Sequence, residues 1–177
     1  MIEPTVLVNE SHPLPPDWEP DDLVDLWKMQ PRHFHLYPRQ TRLAACAAYA
    51  ANALFEQAER EGLYDFMVLS AYRESDYQAG LYANGDSGYV ARPGCSEHQT
   101  GLAMDIAQLG LGMELDKAHA AWLAQNCWEH GLVVRYPEGR EDVTGIPSEP
   151  WHLRYVGREV ALEMRERDWV LEEWHDC

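Results

Sequence analysis

The chain reads as an α+β protein with a small, mainly antiparallel sheet flanked by helices, and three observations predict this. Apolar residues recur at helical spacing over 42–61 and 116–130, and short β-prone runs lie between and after them. The two kinds of segment do not alternate regularly enough for βαβ units. With 177 residues, 46% of them apolar and 25% charged, the chain suits a single domain that buries one core without staples.

The first 37 residues hold Pro4, Pro13, Pro15, Pro16, Pro20 and Pro31, which predicts an extended segment packed on the domain, with one short helical turn over 21–27. Thr41 is placed to cap a helix over 42–61, where Leu43, Cys46, Ala47, Ala50, Leu54 and Ala58 share a face and Gly62 provides the stop. The run 66–73 is apolar and β-prone, and Ser75 with Gln78 then has the spacing of a capping box. Three glycines and a proline make 84–94 a loop, and 101–107 has the pattern of a buried strand. A helix over 116–130, closed by Gly131, leads into a strand over 132–136. Residues 137–147 form a polar turn region, 151–156 a strand and 158–167 a helix, with a last turn over 170–175.

Fourteen basic residues against 30 acidic ones leave a formal charge of −16, which repels phosphate backbones and argues against a nucleic-acid partner. No apolar run is long enough to span a bilayer, and Met1-Ile2-Glu3-Pro4 lacks the features of a secretory leader, so a cytoplasmic protein is expected. Cys46, Cys95, Cys127 and Cys177 form no C-x-x-C pair and read as free thiols, with Cys95 a small buried hydrophobe rather than a nucleophile.

The chemistry concentrates in two stretches. His98, Asp105 and His152 supply two imidazoles and a carboxylate, the ligand set of an open zinc centre, whose remaining position takes water with a pKa near about 7. Such a centre needs a base, and Glu149 is the candidate. A separation of seven would send His98 and Asp105 to opposite faces of one straight strand, so His98 is expected on a loop before Gly101 and Asp105 on the strand after it. Pro150 disfavours helical geometry at Glu149, which is therefore expected to enter from a loop just before the strand. On that strand His152 and Arg154 share the polar face, while Trp151, Leu153 and Tyr155 take the packed one. His33 and His35 also share a face, but no third ligand lies near them in sequence.

Four segments carry a resemblance: Ser70-Ala71-Tyr72-Arg73, the run from Pro93 through Ser96-Glu97-His98 to Asp105, Arg135-Tyr136-Pro137, and Glu149-Pro150-Trp151-His152 with its continuation to Gly157. In this order they resemble the motifs of the zinc D-Ala-D-Ala metallopeptidases, the VanY-type carboxypeptidases and their VanX and VanXY relatives, whose fold is shared with the lysostaphin and hedgehog group. The resemblance extends over about residues 7–175. It departs from the family pattern at Ala71, where glycine is usual, and at Ser148, where an aromatic is common.

The resemblance implies one Zn²⁺ per chain held by His98, Asp105 and His152, Glu149 as the general base, and Arg73 as donor to the oxyanion or clamp on the substrate carboxylate. It also places Gln78, Ser96 and Trp151 at the substrate, which for Gln78 competes with the capping box. The implied activity is a D,D-carboxypeptidase that removes the last D-Ala from peptidoglycan precursors ending in D-Ala-D-Ala, with the free dipeptide as a second substrate. The alternatives are an L,D-carboxypeptidase or phage-type endopeptidase on the same fold, and a zinc-binding module without catalysis. A role in glycopeptide antibiotic resistance would depend on accompanying genes.

Overall fold

The computed structural model describes residues 3–39, 41–85 and 90–177. Among them, six helices and two sheets follow in the order β1 (Leu23–Asp25), β2 (His35–Leu36), β3 (Arg42–Ala44), α1 (Ala45–Arg60), β4 (Phe66–Ser70), α2 (Ser75–Asn84), β5 (Ala103–Gln108), α3 (Lys117–Asn126), β6 (Leu132–Tyr136), α4 (Glu141–Thr144), β7 (Glu149–Tyr155), α5 (Arg158–Arg167) and α6 (Leu171–His175). The main sheet has the order β2-β4-β5-β7-β6. Its β2–β4 pair is parallel and the others are antiparallel, so the sheet is mixed but mainly antiparallel, as expected.

Helix α1 packs its alanine-rich face and Leu54 and Phe55 against the sheet, where Phe66, Val68, Met104, Ile106 and Leu153 complete the core. A second cluster of Val133, Val156, Ala161, Met164 and Leu171 seats α5 and α6 beside β6. The cross-strand alternation that buries Met104 and Ile106 leaves Asp105 on the other face. No helix among the described residues is long and apolar enough to cross a membrane.

Three local expectations are corrected. Residues 42–44 are not the start of the first helix: they pair antiparallel with 23–25, and α1 begins at Ala45 without a side-chain cap. The backbone N–H groups at this junction are satisfied by distant carbonyls instead, Ala44 by Gly101 at 2.9 Å and Ala45 by Asp22 at 3.1 Å. The helical turn over 21–27 is correspondingly a strand followed by a 3-10 turn at Leu26–Lys28, where Asp25 caps through its side chain. Ser75 and Gln78 form no capping box, because Gln78 turns inward and is wholly buried. The loop expected over 84–94 lies partly outside the described residues, and Asn84 belongs to α2.

His33 and His35 do not converge: His33 Nδ1 meets Glu59 Oε2 at 2.6 Å, and His35 Nε2 meets the Tyr64 carbonyl at 3.0 Å. All four cysteines are free thiols.

Candidate active site

His98 sits on a 3-10 turn, Glu97–Thr100, that Gly101 ends with φ +73°. A side chain at Gly101 would meet Leu23 Cδ2 at 3.0 Å and the Ala44 nitrogen at 3.1 Å, so both the turn and the close approach of β3 require glycine. The His98 ring is oriented from β4. A register shift between Val68 and Ser70 bends the end of that strand, and the Ala71 carbonyl just beyond it accepts a hydrogen bond from His98 Nδ1 at 2.8 Å. With Nδ1–H donating, Nε2 is left as the ligating atom.

Asp105 and His152 are directly opposite one another in the β5–β7 register, so the ladder itself brings two donors together. His98 Nε2 lies 3.2 Å from Asp105 Oδ2, and His152 Nδ1 lies 3.1 Å from Asp105 Oδ1. One donor atom from each of the three residues falls within 4.8 Å of the others, and all three sites are buried. Tetrahedral zinc with bonds of about 2.0–2.1 Å separates its ligand atoms by about 3.3 Å. The two measured separations are close to that edge, and the donor set is one that zinc takes, so the residues fit this ion.

The electrostatics favour a cation at this point. Burial works against charge on His152, yet its contacts with Asp105 and Glu97 outweigh it and push its pKa up to about 9. Burial and then the Arg73 charge lower that of His98, keeping it neutral as metal ligation requires. Glu149 Oε2 lies 3.5 Å from His152 Nδ1, and burial raises its pKa above the usual carboxylate value, the direction a base needs. Arg73 reaches Asp105 Oδ2 at 3.0 Å and Ser70 Oγ at 3.2 Å.

These groups line a cleft of about 700 Å³, together with Ser96, Tyr136, the stretch Val8–Ser11 and residues 142–146. Of the residues expected here, His98, Asp105, His152, Glu149, Arg73, Ser96 and Trp151 all face it. Gln78 does not line it: it lies behind, its Oε1 3.5 Å from Arg73 Nη1 and its amide donating to the Ala91 carbonyl at 2.7 Å. Glu149 enters as the first residue of β7, paired with Tyr136, rather than from a loop. A register shift between Val134 and Tyr136 accommodates Pro150 there and breaks the alternation, so Trp151 is 40% exposed at the rim instead of packed with Leu153. Arg154 is wholly buried and donates to the Pro4 and Val6 carbonyls at 2.9 and 2.7 Å, away from the cleft. Burial raises the pKa of the Cys95 thiol, consistent with an unreactive hydrophobe.

Sequence reasoning passed over Glu97, whose side chain is 1% exposed and lies between Arg135, Arg154 and His152. Its place between Ser96 and His98 was the available signal, but thirty acidic residues offered no way to single it out.

A family model described as VanY: D-alanyl-D-alanine carboxypeptidase matches residues 40–158. The putative carboxypeptidase YodJ of Bacillus subtilis (strain 168) is 38% identical over 186 residues, covering 96% of this chain and 66% of that protein. A D-alanyl-D-alanine carboxypeptidase of Enterococcus faecium is 32% identical over 177 residues, covering 97% and 57%. The chain therefore spans less than two thirds of the length of both. Among solved structures, the LdcB LD-carboxypeptidase superposes with TM-score 0.83 at 35% identity, over 98% of this chain and 87% of that one. A mutant of the vancomycin resistance D,D-pentapeptidase VanY in complex with Zn(II) does so with TM-score 0.78 at 30% identity, over 98% and 99%.

Proposed function

Because the chain belongs to the VanY family of D-alanyl-D-alanine carboxypeptidases, we propose that it is a zinc-dependent D,D-carboxypeptidase removing the terminal residue from peptides that end in D-Ala-D-Ala. The observation that carries the reading is the convergence of His98, Asp105 and His152 on one point, with Glu149 and Arg73 beside it in the cleft. When bound, zinc acidifies water and polarises a carbonyl.

The chain's own groups do the rest. Glu149, partly buried and raised in pKa, takes a proton from the attacking water and returns it to the leaving amine. Arg73, held at the cleft by Asp105, Ser70 and Gln78, keeps N–H groups beyond those contacts and donates them to the oxygen that becomes negative. Ser96 and Trp151 border the space left for the terminal residue. A chain of charge −16 needs local positive charge to admit an anionic peptide to the cleft, and Arg73 contributes to it.

The similarity to LdcB favours a second reading, in which the bond cut joins an L-residue to the terminal D-Ala. Metal, base and oxyanion donor are the same in both, and the pocket on the amino side of the bond distinguishes them. The test is hydrolysis by zinc-loaded protein of an acylated D-Ala-D-Ala peptide, a peptide ending in L-Xaa-D-Ala, and free D-Ala-D-Ala. Fastest release of D-Ala from the first is the expected result. Preference for the second establishes the L,D reading, turnover of the third adds dipeptidase activity, and zinc binding without any turnover would leave a non-catalytic module.

A further inference from the structure

Glu97 lies outside the ligand set, yet one of its oxygens faces a ligand. Oε1 accepts a hydrogen bond from Arg135 Nε and forms an ion pair with Arg154 Nη1, each at 2.8 Å. Oε2 is left facing His152 Nε2 at 3.4 Å. The ring's other nitrogen, Nδ1, is the one turned to Asp105 and the metal point. An imidazole has two nitrogens and only one can be the metal donor, so whatever holds the N–H on Nε2 decides that Nδ1 keeps its lone pair. His98 has this decision made by a backbone carbonyl at its Nδ1. His152 lies on the opposite strand with its far edge in a fully buried space, and Glu97 is the acceptor there.

The two arginines explain why a carboxylate can occupy this position. A buried anion is costly unless paired. Arg135 is itself fixed by Glu172 on α6 at 2.6 and 2.8 Å, and Arg154 by the Pro4 and Val6 carbonyls, so the carboxylate is anchored from two sides and cannot swing toward the cleft.

We propose that Glu97 is a positioning residue for the zinc ligand His152: its carboxylate, clamped by Arg135 and Arg154, accepts Nε2–H and thereby fixes the tautomer and ring orientation in which Nδ1 ligates. This rests on the zinc-site reading above. Outer partners of metal-bound histidines commonly contribute about 10- to 100-fold in metal affinity.

The experiment measures zinc affinity by chelator competition for the wild type and Glu97→Gln, alongside the melting temperature of each metal-free protein. The ring nitrogens of His152 in the zinc-loaded wild type are followed by long-range proton–nitrogen NMR. Glu97→Gln is expected to bind zinc about 10- to 100-fold more weakly, and the wild-type ring to carry its proton on Nε2. A folded Glu97→Gln with wild-type zinc affinity, or a proton found on Nδ1, overturns the proposal and leaves Glu97 a counter-ion of the two arginines. If Glu97→Gln does not fold, the wild-type NMR result decides. A wild type that fails to bind zinc at all would instead remove the zinc-site reading.

Discussion

Two arginines pair with glutamates close to the cleft, and their surroundings differ sharply. Arg135, 1% exposed, joins Glu97 beneath the site to Glu172 on α6. Arg92, 52% exposed, pairs with Glu10 across the mouth. The floor is thus built from charges paired with one another out of reach of water, two of them, Arg135 and Arg154, on strands whose register is set by the core. The rim is built from charges that water can satisfy. The contrast teaches that chemistry and stability should depend steeply on the floor and weakly on the rim, and each of the following variants presses on that difference.

The largest effect is expected at Glu149. Glu149→Ala should retain zinc, since the three ligands are untouched, while kcat falls by about 10² to 10⁴, the range for a lost general base. Zinc content and turnover measured on the same preparation check it. Loss of zinc together with activity would make Glu149 part of the metal site instead.

Next is Arg73→Ala, for which kcat should fall by about 10² to 10³ if the guanidinium meets the developing negative oxygen. A rise confined to KM would reassign it as a clamp on the terminal carboxylate. Its contact with Asp105 means that zinc affinity must be measured in parallel.

The third variant moves from chemistry to stability. Arg135→Met leaves Glu97 with one guanidinium and Glu172 with none, and truncating one member of a buried ionic set typically costs about 3–5 kcal/mol. Chemical denaturation of the metal-free protein reads this directly. A small change would mean that the floor is as tolerant as the rim.

The same division separates what was legible in the sequence from what was not. His98, Asp105 and His152 could be read because local rules bear on them: the glycine after His98 ends its turn, period-two alternation places Asp105 away from Met104 and Ile106, and Pro150 holds the chain extended into β7. What could not be read depends on contacts distant in sequence. The β1–β3 pair converts 42–44 from helix to strand, although local composition favours a helix. The inward turn of Gln78 depends on Ala91, thirteen residues on, and defeats a capping-box spacing that is locally correct. Glu97 acquires its setting from Arg135, Arg154 and His152, none within 35 residues of it, and its own neighbours say nothing of that.

The smallest effect is expected at the rim and tests the weak side of the contrast. The Arg92 guanidinium donates to Glu10 Oε2 and to the Glu10 backbone carbonyl, and the Arg92 backbone N–H donates to Oε1, a geometry that joins the N-terminal segment to the stretch before Cys95. Both side chains are more than half exposed, so water and salt compete for every one of these contacts. Arg92→Ala should therefore shift the melting temperature by less than about 3 °C, within what a surface pair is worth in a domain of this size. Added salt should narrow even that gap, because screening weakens the wild-type pair and leaves the variant as it was. Glu10 lines the cleft and Arg92 does not, so any kinetic change should appear in KM for longer peptides, which reach the mouth, and not in kcat for short ones. A large loss of kcat in Arg92→Ala would show that the mouth is mechanically joined to the floor, and the separation between the two regions would fail at its most exposed point.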